Sequence, residues 1–453
     1  MLVCPFSGRP DMRRLALLLL LLACAHANAA TLHVSSLDSQ ADAPLGVHVS
    51  GMRPTELVEL RLAMKDAKGI IWRSSAVYRA DLDGMVDPAI TAAEAGSYMG
   101  IDQTGLFWSM QPEGPPRPLP FPIQRRPGDL RFSPAEFTLD VVSGGRVVDT
   151  VKLRRWIDGK DVCAFPVTSD GLVANVYAPQ GALVDGRRHP TVITLGGSEG
   201  GIESANMYAA WLASHGFVAM SVAYYRMPGL PKDLVRVPID PVSMGVTWLQ
   251  DQSYVDPSGI GVLGGSWGGT IAMAAASHDP RLRAVVSFVG SPAPFRGIQR
   301  DVAPADFRAV NKPGLTFKGK DLPFLPYRED ASWLDEKEAE IQSTLKAALL
   351  PIEKINGPLM LVAAGDDRLG LSGEMAAVAQ RYLARHAHGT HDQIMYFSDA
   401  GHLISPLWQP TTHRHDLGPH LQVGGTPEGY ARADRESGAA VIEFLRSALG
   451  NTR

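Results

Sequence analysis

The chain has 453 residues, more than one ordinary domain needs, and close to half of them are apolar, which describes a globular protein of about two domains. Its 43 basic and 47 acidic side chains nearly balance at a formal charge of −4. That balance gives no reason to expect a nucleic-acid surface or a polyanionic substrate.

The N-terminus has the pattern of a secretory leader. Met12-Arg13-Arg14 supplies a positive start, Leu15 to Leu22 an apolar run, and Ala27-Asn28-Ala29 a small-residue cleavage site. Residues 1–29 are therefore expected to be a signal peptide outside the fold, and the protein to be exported to a periplasm or the exterior. Met12, directly before the arginines, is an alternative start. Leu21-Leu22-Ala23-Cys24 resembles a bacterial lipobox, in which Cys24 would carry a lipid anchor. No later stretch reaches the roughly 20 apolar residues of a transmembrane helix. Of the three cysteines only Cys163 lies beyond the leader, so no intramolecular disulfide is expected, and Cys163 reads as a small apolar filler.

From Thr31 to about Ile157 short runs alternate apolar and polar residues between Gly, Pro and Asp: Leu45 to Val49, Leu57 to Ala63, Ile70 to Val77, Phe137 to Val142. This period of two, without an amphipathic helix between the runs, predicts a small immunoglobulin-like β-sandwich over residues 30–157. The Pro-rich stretch Pro112 to Pro127 reads as a long loop within it.

From about Asp161 the pattern changes to buried strands alternating with helices. Thr191 to Leu195, Val218 to Ala223, Ile260 to Leu263, Val285 to Val289, Leu359 to Ala363 and Ile394 to Phe397 are the strands. They predict a mostly parallel sheet covered on both faces over residues 161–450. A last helix over about Pro427 to Leu449 carries Val441, Ile442, Leu445 and Leu449 on one face and ends at Gly450, a residue suited to a C-terminal cap.

Gly264-Gly265-Ser266-Trp267-Gly268-Gly269 lies between the strand Ile260 to Leu263 and the small-residue helix Thr270 to Ser277. A G-x-S-x-G sequence in that context is a nucleophile elbow of an α/β-hydrolase fold, with the Ser266 hydroxyl exposed above the sheet and a helix N-terminus beneath it. A serine hydroxyl needs a base oriented by a third group, and in this fold the order is Ser, acid, His. Asp366 and Asp367 follow the strand Leu359 to Ala363, and Asp367 is preferred. His402 follows the strand Ile394 to Phe397 through Asp399-Ala400-Gly401. Of the other histidines, His386, His388 and His391 are expected to be solvated. The oxyanion donors are expected at the N–H of Trp267 and at Gly197 or Ser198, in the loop Gly196-Gly197-Ser198-Glu199-Gly200-Gly201. That loop lacks the Lys and Ser/Thr of a phosphate-binding loop.

Several segments together resemble one family: Gly105-Leu106-Phe107-Trp108-Ser109-Met110, Val222-Ala223-Tyr224-Tyr225 with Leu230-Pro231-Lys232, the elbow, Ala364 to Ser372, Ala400-Gly401-His402-Leu403-Ile404, and Gly424-Gly425-Thr426-Pro427. The chain resembles the acyl-CoA thioesterases related to bile acid-CoA:amino acid N-acyltransferase, which join an N-terminal β-sandwich to an α/β-hydrolase domain. The resemblance puts the family's nucleophile, acid and base on Ser266, Asp367 and His402. A serine nucleophile implies hydrolysis of a thioester rather than acyl transfer to an amino acid. The expected partner is a small acyl thioester or ester, and the mechanism requires no metal and no organic cofactor. Two other readings remain: an exported carboxylesterase or lactone hydrolase of the same fold, and a non-catalytic binding protein of the cell envelope. The leader is one departure from the family, because acyl-CoA is mainly an intracellular metabolite. The terminal Asn451-Thr452-Arg453, which is no peroxisomal-type signal, is another.

Overall fold

The computed structural model describes residues 30–114, 125, 129–169, 171–299, 311–326, 344–389, 391–406, 410–414 and 422–450. The leader with Cys24, most of the Pro-rich stretch and the last three residues lie outside them.

The N-terminal part is a β-sandwich of unequal halves. Strands β1 (Thr31–Val34) and β3 (Val47–Ser50) pair antiparallel as a two-stranded sheet. The larger sheet holds β2 (Asp38–Gln40), β4 (Leu57–Lys65), β5 (Ile71–Arg79), β6 (Ala93–Gly96), β7 (Gln111–Pro112), β8 (Ala135–Ser143) and β9 (Arg146–Trp156), in the order β2-β9-β8-β4-β5-β6 with β7 beside β5. The period of two decides which faces are covered: Val58, Leu60, Leu62 and Met64 of β4 are buried while Leu57 and Lys65 are exposed. Leu32, Val47 and Val49 of the small sheet join the same core. A short helix, α1 (Gly105–Trp108), interrupts the strands where no helix was expected.

The C-terminal part is built on an eight-stranded sheet. Its strands are β10 (Val162–Pro166), β11 (Val173–Pro179), β12 (His189–Leu195), β13 (Val218–Ala223), β15 (Val255–Gly265), β16 (Leu282–Phe288), β19 (Leu359–Ala364) and β20 (Gln393–Phe397). The order is β10-β11-β13-β12-β15-β16-β19-β20, antiparallel at the first two pairings and parallel from β13 onward. A three-stranded ribbon of β14 (Val237–Pro238), β17 (Leu315–Phe317) and β18 (Lys320–Asp321) stands apart. Helices α2 (Glu203–Ser214), α3 (Asp240–Gln250), α4 (Trp267–His278), α5 (Ser372–Arg385) and α6 (Pro427–Leu449) accompany the strands. Both faces of the sheet carry a core, one with Ile193, Val262 and Ile271, the other with Leu263, Val286 and Leu445. That double coverage is why β13 and β19 are buried along their whole length, with Ser221 the one polar residue between them.

Helix α6 has the predicted bounds. Thr426 caps its start by accepting from Gly429 N–H at 3.0 Å, with Pro427 at the first position. Gly450 closes it at φ −85°, so the left-handed cap that a glycine there permits is not used. The two parts are tied together at several points. Asp42 accepts from Trp211 Nε1 at 2.7 Å and pairs with His215 at 3.1 Å, and Thr412 Oγ1 donates to Met110 O at 2.6 Å. No helix among the described residues is long and apolar enough to cross a membrane.

Candidate active site

Four loops meet at the C-terminal ends of neighbouring parallel strands, the edge of such a sheet where ligands bind. They follow β12, β15, β19 and β20 and carry, in that order, Gly197, Ser266, Asp367 and His402.

The loop after β15 turns at once into α4. Ser266 adopts φ 53° and ψ −121°, a conformation outside the ordinary basins that costs about 1–3 kcal/mol and is held by its surroundings. Its N–H donates to Phe288 O at 2.7 Å, fixing the turn to β16. The flanking glycines are needed for close approach. A Cβ on Gly264 would strike the backbone of Gly268, and one on Gly268 the carbonyls of Leu195 and Gly196. Trp267 opens α4, so its N–H has no carbonyl one turn earlier within the helix. Its ring packs inward against Gly314 in the core.

His402 lies with its Nε2 2.8 Å from Ser266 Oγ and its Nδ1 2.9 and 3.0 Å from the two oxygens of Asp367. All three residues come from separate loops, and both His402 and Asp367 are buried. Asp367 also accepts from the N–H groups of Leu369, Gly370 and Ser372 at 3.0, 2.8 and 3.1 Å. Burial by itself would raise the Asp367 carboxyl, but the charge and hydrogen bond of His402, with those of Ser372 and Gly370, hold it at about 2. The neighbouring Asp366 turns away: it pairs with Arg368 at 2.7 Å and accepts from Gly425 N–H at 2.9 Å. Gly370 permits the His–Asp approach, since a Cβ there would lie 2.8 Å from His402 Cε1.

Residues that were not singled out as site residues brace this arrangement. His402 N–H donates to Val423 O at 2.8 Å, and Tyr430 OH donates to Gly424 O at 2.9 Å. Gly424 and Gly425 both sit at positive φ, and a Cβ on Gly424 would overlap Asp366 O. The Gly424-Gly425-Thr426-Pro427 motif therefore does two tasks, supporting the Asp366 and His402 loops and starting α6. Beyond His402, Arg414 donates to Leu403 O at 3.0 Å and pairs with the buried Asp434 at 2.7 Å.

Of the expected oxyanion donors, Gly197 N–H lies beside Ser266 but already donates to Glu199 Oε1 at 2.9 Å. The Ser198 carbonyl accepts from Tyr225 OH. His388 departs from the expectation of a solvated histidine: its side chain is buried between Asp392, at 2.7 Å, and the carbonyl of Ile355, at 3.0 Å. Cys163 is half-buried, with its Sγ 3.3 Å from Ala178 O, and burial raises its thiol. No cluster of three or more His, Cys, Asp or Glu side chains able to hold a metal occurs among the described residues.

A mostly parallel sheet with a Ser–His–Asp constellation at the ends of its strands defines a hydrolase of the α/β-hydrolase fold. Comparison with known proteins places it more closely. Residues 42–169 match the family described as acyl-CoA thioester hydrolase/BAAT N-terminal region, and residues 242–451 match its partner, BAAT/acyl-CoA thioester hydrolase C terminal. Acyl-coenzyme A thioesterase 2, mitochondrial, of Rattus norvegicus is 30% identical over 426 residues, covering 90% of this chain and 87% of that one. The peroxisomal succinyl-coenzyme A thioesterase of Mus musculus is 28% identical, covering 91% and 94%. Among solved structures, a putative dienelactone hydrolase from Klebsiella pneumoniae aligns over 64% of this chain and 99% of its own, with 15% identity and a TM-score of 0.39. The chain belongs to the acyl-CoA thioester hydrolase/BAAT family.

Proposed function

We propose that the protein hydrolyses acyl thioesters, with acyl-CoA the first class to test, through an acyl-enzyme on Ser266. The observation that carries this reading is the single imidazole of His402, within hydrogen-bonding distance of Ser266 Oγ on one side and of the Asp367 carboxylate on the other. His402 takes the Ser266 proton as Oγ attacks the acyl carbonyl carbon. Asp367 stays ionised and stabilises the imidazolium that forms. The carbonyl oxygen becomes an oxyanion, accepting from the N–H groups of Trp267 and Gly197. Collapse breaks the carbon–sulfur bond, and the departing thiolate takes the proton from His402. Water then gives a proton to the same nitrogen and attacks the acyl-enzyme. Collapse of that second intermediate releases the acid and returns the proton to Ser266.

In this account residues 161–450 form the catalytic domain and residues 30–157 the sandwich domain. The leader pattern of residues 12–29 supports export, with Cys24 a candidate lipid anchor. Export favours a second reading on the same triad, an oxyester or lactone substrate, because acyl-CoA is mainly intracellular. The test is turnover of matched acyl-CoA and p-nitrophenyl esters by the mature protein beside Ser266→Ala. Thioester turnover lost in the variant supports the first reading. Ester-only turnover replaces it with the second, and turnover that survives Ser266→Ala overturns both.

A further inference from the structure

The loop after β12 holds a side chain that this mechanism leaves unused. Gly197 N–H, one of the two amides assigned to the oxyanion, is occupied by the Glu199 carboxylate at 2.9 Å. The same carboxylate and Ser266 border one point beside Gly197: a Cβ built on Gly197 would lie 2.7 Å from Glu199 Oε2 and 3.4 Å from Ser266 Cβ. We propose that Glu199 is a specificity-determining side chain that fills the oxyanion site of the free protein, has to swing out before an acyl carbonyl can enter, and disfavours acyl groups with a negative charge near that carbonyl. The proposal rests on the serine-hydrolase reading of Ser266.

The backbone around Glu199 is anchored independently of its side chain. Tyr224 OH lies 2.7 and 2.8 Å from the carbonyls of Gly196 and Gly197, Tyr225 OH donates to Ser198 O, and Arg226 Nη1 donates to Glu199 O at 2.9 Å. With four successive carbonyls held in this way, the Gly197 amide keeps its direction whether or not the carboxylate is present. Glu199 is also exposed, so its side chain can rotate into water without the loop rearranging. A carboxylate is a stronger acceptor than the neutral carbonyl of a ground-state acyl group, so the carbonyl enters at a cost. An oxyanion carries its own charge and competes on better terms, but a carboxylate left beside it would repel it. A second negative charge on the acyl group meets the same repulsion.

The test uses the full mature protein and an uncharged alkyl fluorophosphonate, whose phosphoryl oxygen enters the oxyanion site as Ser266 is modified and fluoride leaves. Glu199→Ala is expected to raise the second-order labelling rate about 10-fold, the worth of one charge-assisted hydrogen bond. Glu199→Gln keeps a neutral acceptor against Gly197 and is expected to fall between Ala and wild type, which also guards against a folding defect in the Ala variant. For p-nitrophenyl esters of equal length, the ester with a terminal carboxylate is expected to gain more from Glu199→Gln than the neutral one. Wild-type protein labelled on Ser266, with both variants no faster, would overturn the proposal alone. Wild-type protein that is not labelled on Ser266 would overturn the serine-hydrolase reading beneath it.

Discussion

Replacing Asp367 by Asn tests the part of the site that holds the base. The Asp367 carboxylate accepts from His402 Nδ1 and from three backbone N–H groups. An Asn side chain keeps one acceptor oxygen, which can serve Leu369 and Gly370. Its NH2 group then faces two donors, Ser372 N–H at 3.1 Å and the His402 Nδ1 proton. To avoid that clash His402 must change tautomer and present Nε2–H to Ser266, where it cannot act as base. The expected loss is about 10⁴ in kcat, equal to ~5.5 kcal/mol of barrier. The repulsion at Ser372 adds about 1–3 kcal/mol of lost stability. Steady-state kinetics on the best ester or thioester, beside a thermal melt, measures both. A folded Asp367→Asn variant that keeps more than a tenth of wild-type kcat would refute the assignment of Asp367. The carboxyl is also held at about 2 in the folded protein, below the usual carboxylate value, so the associated stability is present at neutral pH and is lost as pH falls through the acid range toward 2.

Three further outcomes follow. Gly264→Ala puts a methyl group against the Gly268 backbone, whereas Gly181→Ala meets open space. The first should lower stability by about 1–3 kcal/mol and reduce Ser266 reactivity, and a melt that matches the Gly181 control would contradict the packed elbow. Arg414→Met leaves the buried Asp434 carboxylate without its partner at 2.7 Å and should cost about 3–5 kcal/mol, with part of the loss recovered by adding Asp434→Leu. A double-mutant cycle in urea with no coupling would reject the pair. At the contact between the two parts, burial lowers His215 and raises Asp42, but their mutual hydrogen bond wins, leaving His215 raised and Asp42 lowered. The His215 contribution is full below its ordinary value and disappears as pH rises through the raised one. The Asp42 contribution is full above the ordinary carboxylate value and is lost as pH falls. His215→Gln should flatten the stability profile above pH ~6.5, and an unchanged profile would show that the contact does not titrate.

The chemistry of the site was more legible in the sequence than the edges of the fold. Ser266 and the Asp366–Asp367 pair each follow a wholly buried or nearly buried strand, which stands out as an apolar run, whereas His402 follows the edge strand β20, mostly exposed but still apolar from Ile394 to Phe397. β13 and α6 have the bounds read from their patterns, because continuous burial and a capped amphipathic face are local signals. β9 left no such signal: from Arg146 to Lys152 it is exposed or half-buried throughout, and its charges mask the strand. The choice between Asp366 and Asp367 depends on which carboxylate meets the amides of Leu369, Gly370 and Ser372, a feature of a turn that no spacing reveals. The capping of Gly197 by Glu199 was equally hidden, since a glycine-rich loop does not show where its one acidic side chain folds back.

The most direct test of the central claim is to trap the acyl-enzyme. Mature protein is quenched in acid within milliseconds of mixing with an acyl-CoA or a p-nitrophenyl ester, then digested and analysed by mass spectrometry. The account predicts one acyl group on the peptide containing Ser266, absent from Ser266→Ala. Turnover with no acyl group on Ser266, or an acyl group on another residue, would contradict it.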